Sequence, residues 1–152
     1  MTHRDMIVIG GGPAGAATAI RAARLGINVT VFEKGERGRD KVCGDGLTPR
    51  AVGALEELEI ELKEAHQIRG LRMIAGSKTR ELDWPETSRF PSHGAVWPRR
   101  QLDASLMEAA AAAGAELIYN TEVFPEVDAD GRCIGVTTPN GKWTADLVVL
   151  AA

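Results

Sequence analysis

Gly10, Gly12 and Gly15 stand in Gly-x-Gly-x-x-Gly spacing directly after the apolar run Met6-Ile7-Val8-Ile9, and an alanine-rich stretch follows. Residues of these types at this spacing can cradle a pyrophosphate. Gly10 allows a tight turn out of a strand, and Gly12 lets a phosphate approach the backbone without a Cβ in the way. Gly15 and Ala19 let the next helix pack close to the sheet. Pro13 and Ala14 stand where that helix begins, and its unpaired N–H groups and positive dipole end attract phosphate. A second apolar run, Val29-Thr30-Val31-Phe32, ends at Glu33. A carboxylate there accepts from ribose hydroxyls and disfavours a 2′-phosphate, which argues against NADP. Strand, glycines, small helix residue and distal acid agree, so a dinucleotide site is expected. The motif does not separate FAD from NAD.

The remaining reactive side chains form no second constellation. His3, His66 and His93 are scattered without metal-ligand spacing, and no metal is expected. No Ser/His/Asp nucleophile set can be argued. Cys43 and Cys133 form no Cys-x-x-Cys pair and suggest no disulfide framework, which fits a reducing cytoplasm. Gly44 and Gly46 bracket Asp45, so this backbone can come close to a flat ring or a phosphate at little steric cost. Cys43 beside them reads equally as a small residue filling a tight turn.

Elements must position these groups. The 152 residues make one ordinary domain, 44% hydrophobic and 26% charged with net charge −3, and no basic excess points to nucleic acid. The glycines and proline of the N-terminal run make a signal peptide a poor reading, and no run approaches the roughly 18 apolar residues of a spanning helix. Strands are expected over 5–9 and 28–32 around a helix over 14–25. The charged loop 33–41 reads as solvated surface. Thr48-Pro49 predicts an N-cap and first turn, opening a helix that carries Val52, Leu55, Leu58 and Leu62 on one stripe, with Glu56, Glu57 and Glu64 facing away. A hairpin is expected over 71–83, a loop over 84–93, a short strand over 95–97 and a helix over 101–113 stopped by Gly114. Then come a third parallel strand over 115–119 and a meander over 122–128, 132–138 and 142–145. Residues 146–152 read as a buried parallel strand. A domain seldom stops at such a strand, so the chain is read as a fragment cut before the next loop.

The run Lys41-Val42-Cys43-Gly44-Asp45-Gly46-Leu47-Thr48-Pro49-Arg50, with Gly10–Gly15 and Glu33-Lys34, resembles the geranylgeranyl reductase family of FAD-dependent oxidoreductases. Within it, Arg69-Gly70-Leu71-Arg72-Met73, Leu82-Asp83-Trp84-Pro85 and Phe90-Pro91-Ser92 are most similar to the actinobacterial menaquinone-reducing members. The resemblance implies FAD as cofactor, held by Gly10, Gly12, Pro13, Ala14, Gly15, Glu33, Lys34, Cys43, Gly44, Gly46, Arg99 and Val123. It implies that the Cys43–Gly46 loop lies by the flavin, with Cys43 and Asp45 as catalytic candidates. Arg99 matches an arginine that related flavoproteins place against FAD, and Val123 a position whose backbone meets adenine.

The expected fold class is α/β, a Rossmann-like FAD-binding parallel sheet in order 3-2-1-4 with a β-meander, plus part of a second antiparallel sheet. Residues 1–70 and 101–152 are assigned to the FAD-binding domain and 71–100 to the substrate-domain sheet. The resemblance implies reduction of an isoprenoid C=C bond, in the menaquinone side chain or a geranylgeranyl lipid, using electrons from an unidentified donor. It also implies a cytoplasmic protein touching the membrane face peripherally, and a fragment inactive by itself. An aromatic or quinone monooxygenase shares the glycine motif, Glu33 and Arg99, and the Cys-Gly-Asp-Gly-Leu loop argues against it. A non-catalytic FAD-binding module is the alternative from a different class.

Overall fold

A computed structural model describes residues 2–152. In chain order the elements are β1 (Thr2–Ile9), α1 (Pro13–Arg24), β2 (Val29–Phe32), β3 (Gly46–Leu47), α2 (Pro49–Glu57), β4 (His66–Ile68), β5 (Gly70–Ala75), β6 (Lys78–Asp83), β7 (Gly94–Val96), α3 (Arg99–Ala112), β8 (Glu116–Ile118), β9 (Phe124–Val127), β10 (Cys133–Thr138) and β11 (Gly141–Leu150). They fall into two compact units, Met1–Asp40 with Arg100–Ala152, and Lys41–Arg99. Residues 41–70 pack within the second of these units.

The first unit is built on a six-stranded sheet in the order β8-β2-β1-β11-β10-β9. Its parallel part, β8-β2-β1-β11, is the expected 3-2-1-4 arrangement. β10 and β9 continue the same sheet antiparallel, so the meander extends the sheet edge. Ile7, Val8 and Val31 are fully buried and Val29 nearly so; each such side chain contributes about 1.5–3 kcal/mol over its exposed state. One face gathers Ile7, Ile9, Phe32, Val123, Val136 and Ala145, with Trp143 partly buried against them. Trp143 meets Phe32 edge-on, ring centroids 5.2 Å apart. Arg4 lies over the Trp143 ring, donates to Thr30 Oγ1 at 2.9 Å and pairs with Glu116 at 2.8 Å. Four neighbouring strands are thereby joined at one end of the sheet. α1 opens with Pro13 and buries Gly15, Ala16, Ala19, Ile20 and Ala22, the small-residue face that close packing requires. Gly26, at φ +79, takes the left-handed position that ends the helix.

Two expectations about this unit are corrected. The strands expected over 142–145 and 146–152 are one ten-residue strand, β11, antiparallel to β10 through its first half and parallel to β1 along its length. Its C-terminal half is not buried, since Leu147 is 51% and Leu150 68% exposed. Apolar sequence alone could not distinguish a covered strand from an open one. β1 also starts at Thr2, three residues before the expected start at residue 5, because β11 supplies partners from Thr2 onward.

The second unit holds a three-stranded sheet, β3-β7-β4, and a separate two-stranded hairpin, β5-β6. The single antiparallel sheet expected over 71–100 is thus two pieces. Thr48 caps α2, its hydroxyl accepting from Ala51 N–H with Pro49 in the first turn, as expected. The helix stops at Glu57, short of Leu62, because Glu59 takes a left-handed φ of +58. Ile60 rather than Leu62 completes the buried set with Val52, Leu55 and Leu58.

Candidate functional site

In the first unit the turn between β1 and α1 separates the three motif glycines by what surrounds them. Gly10 has φ +103, and a Cβ there would lie 2.8 Å from the Ala151 carbonyl oxygen. A Cβ on Gly15 would lie 1.9 Å from the Gly10 carbonyl oxygen, so this glycine sets how closely α1 approaches β1. A Cβ on Gly12 would meet nothing within 4 Å. Gly10 and Gly15 therefore shape the turn, while Gly12 faces open space. Gly12 is also the N-cap of α1, with no side chain capping the helix and no acid in its first turn. Pro13 lacks an N–H, and the first-turn N–H groups have no intrahelical acceptor. An uncapped, unobstructed helix N-terminus fits a pyrophosphate.

Glu33 completes this cradle from the end of β2. It is only 4% exposed. Oε2 accepts from Gly11 N–H at 2.8 Å, and Oε1 accepts from Gly35 N–H at 2.8 Å and from Arg39 Nε at 2.9 Å. Burial pushes its carboxyl up; the Arg39 hydrogen bond, the Gly35 and Gly11 N–H groups and the Arg39 charge outweigh burial and hold it below the usual carboxylate range. A cavity beside it is lined by Gly11, Glu33, Arg39, Asp103, Met107 and Tyr119. A buried carboxylate next to an open glycine turn, bordering a cavity, suits an adenosine ribose. Lys34 is exposed beside it, and the Val123 side chain lies in the core. Gly11, Gly35 and Arg39 are contributors that the sequence reading missed. Arg39 lies in a loop whose mixed charges read as solvated surface, and nothing in such a loop marks which cation turns inward.

The second unit brings Cys43, Gly44, Asp45, Gly46 and Arg99 together. β3 pairs with β7, Gly46 opposite Val96, so the loop runs beside the segment leading to Arg99. Asp45 has a left-handed φ of 54; its carbonyl accepts from Trp97 N–H at 2.9 Å, and its Oδ1 accepts from Arg99 N–H at 2.9 Å. Cys43 is exposed. Its thiol is lowered by a hydrogen bond from the Arg99 side chain, then by Asp45 N–H, against a smaller upward effect of burial. A Cβ on Gly44 would meet nothing within 4 Å, so its backbone is open to approach. Among the described residues no cluster of His, Cys, Asp and Glu could hold a metal.

Comparison with known proteins gives this geometry a context. Residues 3–138 match the family described as FAD binding domain. The chain is 41% identical over 153 aligned positions to a menaquinone reductase of Mycolicibacterium smegmatis, across 97% of this chain and 37% of that protein. It matches a geranylgeranyl bacteriochlorophyll reductase-like structure from Thermoplasma acidophilum with TM-score 0.82 and 27% identity, over 99% of this chain and 39% of that one. A myxobacterial chondrochloren halogenase, FAD-dependent, matches with TM-score 0.86 at 22% identity, over 100% of this chain and 38% of its own. That last likeness is one of fold alone. The chain spans 37% of the length of the menaquinone reductase it matches.

Proposed function

The chain belongs to the FAD binding domain family, and on that premise we propose that its protein reduces isoprenoid carbon–carbon double bonds. The substrate is the menaquinone side chain or a geranylgeranyl lipid. Similarity to a menaquinone reductase carries this reading, because it runs over 97% of the chain and hence through the glycine turn and the Cys43–Gly46 loop alike.

FAD, when bound, supplies the hydride chemistry that an isolated C=C demands. The residues of the chain bind, orient and shield. Gly10, Gly12, Pro13, Ala14 and Gly15 would hold the pyrophosphate, Glu33 would accept from the ribose with Lys34 beside it, and the Val123 backbone would meet adenine. Gly44 and Gly46 leave the second loop free of Cβ atoms, so a flat ring can lie against its backbone. Cys43 and Asp45 are the catalytic candidates there. Cys43 Sγ, hydrogen-bonded to Arg99, would be the group offered to the reacting atoms. Asp45 acts through the Arg99 N–H that its carboxylate holds.

The strands of 71–100 are proposed as part of the substrate-binding sheet, and residues 1–70 with 101–152 as the cofactor domain. Electrons come from a donor outside this chain. A prenyl-lipid substrate brings a cytoplasmic protein to the membrane face as a peripheral contact. Among the described residues no helix is long and apolar enough to cross a membrane. The test replaces the reductase of a menaquinone-producing cell with the full-length protein and measures the extracted quinones by mass spectrometry. Addition of one H2 to the side chain is expected, and its loss in Gly44→Val. A folded, flavin-loaded protein that leaves both quinone and geranylgeranyl lipids unchanged would overturn the reading.

A further inference from the structure

Glu33 does not wait alone for a ribose. Both its oxygens already accept from the chain: Oε1 from Gly35 N–H and Arg39 Nε, Oε2 from Gly11 N–H and, at a long 3.4 Å, from the second Arg39 nitrogen. A carboxylate offers about four lone-pair directions. The weak contact on Oε2 is therefore the position a ribose hydroxyl takes most easily, while the 2.9 Å contact on Oε1 persists. Arg39 reaches this place because residue 35 is glycine: a Cβ there would lie 2.2 Å from Arg39 Cδ and 2.9 Å from its Nε. The side chain lies across the Gly35 backbone and lines the cavity with Glu33, Met107 and Tyr119.

We infer that Arg39 is a positioning residue of the dinucleotide site, aiming Glu33 through Oε1 and leaving Oε2 to the ribose, with Gly35 as the seat that admits it. The inference rests on the cofactor reading above and adds to it a cation and a glycine that the phosphate-turn motif does not include. Arg39 also answers a problem of burial. Near Glu33 stand Glu36 from the same loop, Asp103 from α3 and the Tyr119 phenol beyond β8. Lys34, next in the chain, is exposed to solvent, and Arg37 of the same loop is paired with Glu108. Without Arg39 the buried carboxylate would lose the guanidinium that hydrogen-bonds it, and burial would favour its protonated form.

Three variants of the full chain separate the possibilities: Arg39→Met removes the charge, Arg39→Lys keeps charge without the fork, and Gly35→Ala displaces the arginine without deleting it. FAD affinity is read by flavin fluorescence between about pH 5 and about pH 8, and the Glu33 carboxyl is titrated by carbon NMR in cofactor-free protein. Wild type should bind FAD with a flat pH profile. Arg39→Met and Gly35→Ala should weaken binding roughly ten- to a hundredfold, with further loss toward acid, and should raise the Glu33 titration midpoint. Arg39→Lys should restore the flat profile but only part of the affinity, and the double variant Gly35→Ala with Arg39→Met should resemble either alone. Unchanged or tighter FAD binding by Arg39→Met, or an unmoved Glu33 titration, overturns the inference. Wild type that ignores FAD while Glu33 still shifts in Arg39→Met overturns the cofactor reading and leaves the aiming of Glu33 by Arg39 intact.

Discussion

At Cys43 a thiol that is open to solvent sits against a guanidinium and two backbone N–H groups. Hydrogen bonds to the thiolate lower its proton affinity, and the thiolate is the nucleophile. Cys43 should therefore alkylate faster than half-buried Cys133 near neutral pH, with a rate profile displaced to lower pH. Arg99→Met should move that profile back up, as read by iodoacetamide labelling and mass spectrometry. Equal labelling of both cysteines in wild type would show that the Arg99 contact has no chemical effect. The motif residues were legible in the sequence because each obeys a local rule: glycine at a turn, acid at a strand end. Arg39 was not, since its role depends on space left by Gly35 and on a carboxylate whose burial comes from the fold. Asp45 was legible as an acid bracketed by two glycines, while its bond to Arg99 N–H joins residues 54 positions apart, which no spacing rule reports.

The turn from β1 into α1 makes two of its glycines answerable in opposite ways. Gly15→Ala puts a methyl where Gly10 O already lies at 1.9 Å, so α1 must lift from the sheet, at a cost of about 1–3 kcal/mol. Gly12→Ala meets open space with an ordinary negative φ, −74, and should cost about 1 kcal/mol or less as an N-cap change. FAD binding should nevertheless fall in both. Thermal melting with and without FAD checks this, and equal melting losses in the two variants would contradict the assigned roles. Elements defined by strong periodicity or caps, such as α1, α3 and the start of α2, could be read from sequence. The end of α2 could not, because the apolar spacing continues to Leu62 while Glu59 turns the backbone left-handed. β11 was split in two because its polar first half and apolar second half resemble different strand types. Pairing with β1 from Trp143 to Leu150 makes them one.

Across the molecule, three glutamates carry an acid sensitivity. Glu33 is lowered as described, Glu116 chiefly by the Arg4 hydrogen bond against burial, and Glu126 by Lys142 and then Thr137. A carboxyl lowered in the folded state contributes stability that is complete above its unfolded value and lost as pH falls through the folded one. The melting temperature should thus be level above about pH 5 and drop below about pH 4. Glu116→Gln should flatten part of that drop; an unchanged acid slope would show that the Arg4–Glu116 contact does not persist in solution. The α/β class and the strand order were legible at this scale because right-handed β-α-β connections leave few arrangements for such a sequence. The division at Asp40 and Lys41 was not, since it depends on how densely each half packs on itself. One pairing also governs how the molecule comes into being. β1 lies between β2 and β11, and Met6 pairs with Leu147. One edge of β1 therefore stays open until β11 has been made. Contacts so distant in sequence form slowly, and an open strand edge invites other chains. Translation speed and chaperone capture before β11 emerges therefore bear on the yield of this fold, alongside its final stability.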